Sequence, residues 1–124
     1  MGTKRARFKC DGQMVDVLEG AYLSGGKPTP EAREFAASIF AMMDKIRKFA
    51  SRKLRSRYND AWRDDDAPKI DESEFCKLLG QPKVVLYDEE GSASIYFSPK
   101  SLFDGHGVEV ALAAGKPYHA TVIG

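Results

Sequence analysis

Residues 83–123 read KVVLYDEEGSASIYFSPKSLFDGHGVEVALAAGKPYHATVI. Val84-Val85-Leu86-Tyr87 and Ala93-Ser94-Ile95-Tyr96-Phe97 flank Asp88-Glu89-Glu90-Gly91, and Val108 to Leu112 and Tyr118 to Ile123 flank Ala113-Ala114-Gly115-Lys116-Pro117. Apolar residues recur at every second position, the period of a half-buried strand, and the breaks carry turn residues. Four strands near 83–88, 93–98, 108–113 and 118–123, joined by short links, predict an antiparallel meander. The expected class is α+β: a β-meander of four or more strands over residues 83–124, with helices on one face. A βαβ rhythm is missing, which argues against a Rossmann or P-loop core.

Upstream, Asp71-Glu72-Ser73-Glu74 has the form of a capping box: Asp71 caps the helix and Glu74 reaches back to the cap N–H. Phe75, Leu78 and Leu79 share one side of two turns, and Gly80 and Pro82 stop the helix, giving a short helix over 71–79. Further back, Thr29-Pro30-Glu31 opens a long helix over 30–62. Its apolar stripe runs through Phe35, Ile39, Met42 or Met43, Ile46, Phe49 or Ala50, Leu54, Tyr58 and Trp62. Lys45, Arg47, Lys48, Arg52, Lys53, Arg55 and Arg57 fall mostly off that stripe. At 1.5 Å per residue such a helix is about 50 Å long, more than a domain of this size is wide. A bend or a short second helix is therefore expected near Ser51 or Asn59. In residues 1–25, ARFKC (6–10) and MVDVL (14–18) flank Asp11-Gly12-Gln13, which predicts a small hairpin or a pair of edge strands.

A chain of 124 residues with 43% hydrophobic and 30% charged residues has the composition of one globular domain and needs no disulfide or metal to fold. Its two cysteines, Cys10 and Cys76, stand far apart and lack metal-ligand spacing. The sequence has no signal-like or membrane-spanning apolar run, and Ala6 stands where a myristoylation signal wants Ser or Thr. These absences set a cytoplasmic expectation, with no membrane association. The net charge of +1 hides a polarity. Residues 1–57 hold 13 basic against 6 acidic residues, and residues 58–124 hold 6 against 12. Such a layout steers protein partners.

For chemistry, the most site-like cluster is Asp104 and His106 in Leu102-Phe103-Asp104-Gly105-His106-Gly107. A carboxylate beside an imidazole could hold a tautomer for general-base work, with Glu109 or Tyr96 nearby. The competing reading is a turn: Asp104 caps backbone N–H groups, Gly105 or Gly107 takes positive φ, and His106 bonds locally. No nucleophile elbow, phosphate loop or calcium-loop spacing is present, so enzyme status has little support and no cofactor or metal is expected. His119 has no ligand set around it. Asp60, Asp64, Asp65, Asp66, Asp71 and Glu72 form an acidic patch. Lys45, Lys48, Arg52 and Arg55 form a basic one, but without aromatics interleaved for base stacking, so nucleic acid is the weaker partner class.

Taken in order, Tyr58-Asn59-Asp60-Ala61-Trp62, Ile70-Asp71-Glu72-Ser73-Glu74-Phe75, Gly91 to Phe97, Leu102 to Val110 and the closing Ala120-Thr121-Val122-Ile123-Gly124 resemble an uncharacterised bacterial domain family. Its members carry a YN-x-x-W segment, an I-x-x-x-x-F helix start and an LF-x-GH-x-(I/V)-E-V stretch. The resemblance covers residues 30–124. It implies a fold and an interaction role, since related domains have been proposed from gene neighbourhood as immunity proteins that neutralise bacterial toxins. Asp104 stands where many relatives have a bulky aromatic. The expected function is thus a small protein-interaction domain whose partner is a toxin, with the acidic patch placed to cover a basic nuclease. A hydrolase centred on Asp104 and His106, or nucleic-acid binding through helix 45–57, are the alternatives.

Overall fold

Thr29 opens the first helix as its side chain predicts, with its Oγ1 accepting from the Ala32 N–H at 3.1 Å and Pro30 in the first turn. The computed structural model describes residues 5–18 and 20–124; the parts of the 1–25 reading that fall on residues 1–4 and 19 lie outside it. The strands are β1 (Arg5–Cys10), β2 (Gln13–Leu18), the two-residue pair β3 (Leu23–Ser24) and β4 (Lys27–Pro28), β5 (Pro82–Leu86), β6 (Ala93–Phe97), β7 (Gly107–Ala113) and β8 (Lys116–Ile123). The helices are α1 (Pro30–Ala41), α2 (Met43–Arg57) and α3 (Glu72–Leu78).

The α+β expectation holds, and β5 to β8 form the meander. The sheet is larger and mixed: six strands in the order β1-β2-β5-β6-β7-β8, with β2 parallel to β5 and every other neighbour antiparallel. Asp11 and Gly12 both take positive φ at the tip of the first hairpin. The hairpin itself is not a peripheral pair, because β2 lies inside the sheet and only β1 is an edge. Val15, Val17 and Val84 explain this, for all three are fully buried beneath the helices. A hairpin with an apolar face must bury that face, and the meander's open side offers the place.

One face of the sheet carries Phe8, Val15, Val17, Val84, Leu86, Ile95, Phe97, Val108, Val110 and Leu112 into the core. Against it lie Ala32, Ala36, Ile39, Met43, Ile46, Ala50 and Leu54 of α1 and α2, with Phe75 of α3. The predicted stripe is thus found, shifted by one residue at some turns: Ala36 and Ala50 are buried, while Phe35 and Phe49 pack at its margin. Arg47 departs from its expected outward place. Its guanidinium lies 5.1 Å from the Phe97 ring centre and donates to the Cys76 carbonyl at 3.1 Å.

The expected break near Ser51 is absent; α2 runs through it. The bend falls at Met42 (φ −105°, ψ 19°), whose N–H is shared between the Ser38 and Ile39 carbonyls. There the helical stripe turns to stay on the sheet. The second expected position is met by a π turn over Tyr58–Trp62, after which Asn59 clamps the chain: its amide donates to the Ile70 carbonyl and accepts from the Ile70 N–H, both at 3.0 Å. Asp71 caps α3, accepting from the Glu74 N–H at 2.9 Å. The reciprocal bond from Glu74 does not form among the described residues, as its side chain stays in water.

Ser51 is 1% exposed, and its hydroxyl has no hydrogen-bond partner among the described residues. An unpaired buried hydroxyl costs about 1–3 kcal/mol, and Ala is the better helix former. Ser51→Ala is therefore expected to raise stability by about 1 kcal/mol. Urea unfolding with an unchanged or lower midpoint would contradict this.

Candidate functional site

The Asp104–His106 stretch forms a tight left-handed turn. Phe103, Asp104 and Gly105 have φ of 52°, 52° and 81° in succession, and Gly105 and His106 donate back to the carbonyls of Leu102 and Phe103, both at 3.0 Å. The turn reading expected positive φ at a glycine alone; here it begins at a fully buried phenylalanine. Leu102 and Phe103 anchor it under the helices, where Phe103 meets the rings of Tyr58, Trp62 and Phe75 edge-on at 5.7, 5.5 and 6.2 Å. Backbone bonds, not the Asp104 carboxylate, hold the turn.

Asp104 and His106 line one shallow cleft with Gly105, Gly107, Ile123 and Gly124. Their side chains do not bond to each other or to another partner among the described residues. The imidazole stands edge-on to Trp62 at 5.4 Å. Glu109 and Tyr96 do not join them. They lie on the sheet's uncovered face, where the Ser94 hydroxyl donates to Glu109 Oε2 at 2.6 Å and the Tyr96 and Tyr87 hydroxyls meet at 2.8 Å. Burial, then the bond to Tyr87, raises the Tyr96 phenol far above its ordinary range, so Tyr96 stays protonated and is no base at neutral pH. On the same face the buried Asp16 carboxylate pairs with Arg7 at 2.6 Å and Lys83 at 3.7 Å. These polar groups satisfy one another, and the Ser94 hydroxyl that bonds the Glu109 carboxylate is itself buried.

Among the described residues no three His, Cys, Asp or Glu side chains converge as metal donors. Nor is any helix among them long and apolar enough to cross a membrane. Cys76 lies partly buried beside Arg47; burial raises its thiol, and that of Cys10, above the ordinary value. Both thiols are therefore weak nucleophiles at neutral pH.

The acidic patch divides. Asp64, Asp65 and Asp66 are exposed on a loop gathered by Arg63, whose guanidinium donates to the backbone carbonyls of Asn59, Asp64, Asp65 and Ala67. Asp60 is exposed one turn earlier. Asp71 is occupied as a helix cap, and Glu72 sits in a cleft with Lys48 and Lys77.

The basic residues come together instead. Lys45, Lys48 and Arg52 line a cleft of about 720 Å³ between α2 and the start of β8, with Met42, Phe49, Gly115, Lys116 and Pro117. That volume is in the range of about 300–1,000 Å³ typical of ligand sites. Lys116 joins from the β7–β8 turn, a fourth cation that sequence spacing does not place there. Arg55 is not part of the lining. No carboxylate lines this cleft, and none pairs with its four cations among the described residues. Next to it, across Gly115, a second cleft of about 580 Å³ is acidic, with Glu31, Glu34 and Glu90 around Tyr22 and Phe35.

No curated protein and no solved structure matches this chain. A family model does match, over residues 17–121, which takes in the three helices, the left-handed turn and all of the meander but the end of β8. The chain belongs to the family of uncharacterised proteins conserved in bacteria, DUF2262.

Proposed function

We propose that the chain is a protein-interaction domain that holds an acidic partner in the groove between α2 and β8, and that this partner is a bacterial toxin which the domain neutralises. The observation that carries the docking surface is the gathering of four cations, none in an ion pair among the described residues, around an apolar floor of Met42, Phe49 and Pro117. Lys48 also borders Asp44 and Glu72 in the neighbouring cleft, but cations free of close ion pairs lose little on meeting an anion and steer its approach, while the apolar floor supplies burial. The divided acidic patch is the weaker surface, because Asp71 and Glu72 already have local roles. The Asp104–His106 hydrolase gains no support from a cleft without a bonded dyad. The toxin part of the reading rests on the interaction role that the family resemblance implies.

The test compares wild type with a Lys48→Glu/Arg52→Glu variant as bait on a bacterial lysate. Both side chains are exposed, so the fold is expected to be unchanged. An acidic protein is expected on the wild-type column at low salt and to be lost from the variant, with retention falling as salt rises. Equal retention by both baits would remove the groove from the reading. Expressed alone, the retained protein is expected to arrest growth, and co-expression with the domain to lift the arrest. A harmless retained protein would remove the toxin.

A further inference from the structure

The two ends of the sheet are protected very differently. β1 exposes Arg5, Arg7 and Lys9 in alternation along its free edge. Charges so placed discourage another strand from pairing there. β8, the opposite edge, is eight residues long, and after Lys116 and Pro117 it continues Tyr118-His119-Ala120-Thr121-Val122-Ile123 without a formal charge. Tyr118 is 64% exposed. At roughly 3.3 Å per residue this edge offers about 20 Å of backbone beyond Pro117. The flank of α2 stands over it, with Lys45, Lys48 and Arg52 set along about 10 Å of helix axis.

We infer that β8 is an acceptor for strand addition: an extended acidic segment of the partner pairs with it as a seventh strand and points alternate carboxylates at Lys45, Lys48 and Arg52. This rests on the groove reading above and specifies its occupant. Side chains of an added strand alternate between two faces. Those on the helix side lie in line with Ala120 and Val122 and meet the cations and Phe49. Those on the other side lie beside His119 and Thr121, which ask for small or polar residues. Backbone bonds to β8 give affinity, and the alternating carboxylates give selectivity. The acidic cleft next door sets the limit. A nucleic-acid backbone continuing along the groove would run its phosphates into Glu31, Glu34 and Glu90, whereas a peptide can change its residues at that point.

The experiment uses the full chain and a short, end-blocked peptide alternating glutamate with valine. Its comparisons are a peptide of the same charge with prolines at the valine positions and a short oligothymidylate. Binding is followed by calorimetry, and backbone amide exchange by NMR. The alternating peptide is expected to bind and to slow exchange of alternate amides between Tyr118 and Ile123 by about tenfold or more. The proline peptide is expected to bind at least about tenfold more weakly, and the Lys48→Glu/Arg52→Glu variant to lose the alternating peptide by a similar factor. If the peptide binds and the charge variant loses it while β8 amides exchange as before, strand addition is wrong and the groove reading stands. If the proline peptide binds as well as the alternating one, the same conclusion follows. Tight binding of oligothymidylate with no peptide binding would overturn both.

Discussion

Phe103→Ala is expected to destabilise the protein by about 3–5 kcal/mol, the cost of deleting a fully buried aromatic ring. The ring is the hub on which Tyr58, Trp62 and Phe75 converge, so its loss opens a cavity between the π turn, α3 and the left-handed turn. The backbone offers no compensation, because alanine at φ of 52° is strained just as phenylalanine is. The residue thus occupies a costly conformation that only its packing maintains. Chemical denaturation measures the loss, and the Trp62 fluorescence should become more solvent-like in the native baseline. A change below 1 kcal/mol would mean that the ring is not the keystone of this cluster.

The second large effect is expected at Gly91. Its φ is +80°, and a Cβ there would meet the Ala114 Cα at 2.9 Å and the Gly115 nitrogen at 3.0 Å. Both contacts are backbone and cannot swing aside. The same residue holds two hairpin tips together: its carbonyl accepts from the Gly115 N–H at 2.9 Å, and its N–H donates to the Tyr22 hydroxyl at 2.7 Å. Left-handed strain of about 1–2 kcal/mol plus overpacking of about 1–3 kcal/mol gives an expected loss of about 2–5 kcal/mol for Gly91→Ala. Gly12→Ala is the control, since its φ is +74° but no atom lies within 4 Å of the added methyl. If both variants lose the same amount, the contact between the hairpins contributes nothing.

How far the sequence foretold this structure follows from the range of each interaction. The Thr29 and Asp71 caps, the Asp11-Gly12 turn and the Gly80 stop are settled within a few residues, and all are found. The bend at Met42 has no proline or glycine to announce it; it arises because the stripe must follow the sheet. The parallel β2–β5 pairing joins segments nearly 70 residues apart, beyond any local pattern. At the turn, Asp-Gly promised a reversal, but the positive φ at Phe103 is imposed by the aromatic cluster that claims its ring. The candidate groove divides in the same way. Lys45, Lys48 and Arg52 were visible as one basic stretch, yet Lys116 reaches them only through the β7–β8 turn, and the free edge of β8 exists only once the strand order is known.

That long-range parallel pairing also sets an order of assembly. Strands β5 to β8 pair with their immediate chain neighbours, so each closes only a short loop. The β1–β2 hairpin is equally local. What unites them is one seam of three residue pairs, Val15 with Val84, Asp16 with Val85 and Val17 with Leu86. That seam closes a far longer loop than any other pairing in the sheet and so carries the largest closure entropy. Two quickly made pieces and a slower docking step are the expected order of folding, with the line of weakness in the sheet between its second and third strands. Partial unfolding would release the basic hairpin as a unit while leaving the meander, the groove and its free edge assembled.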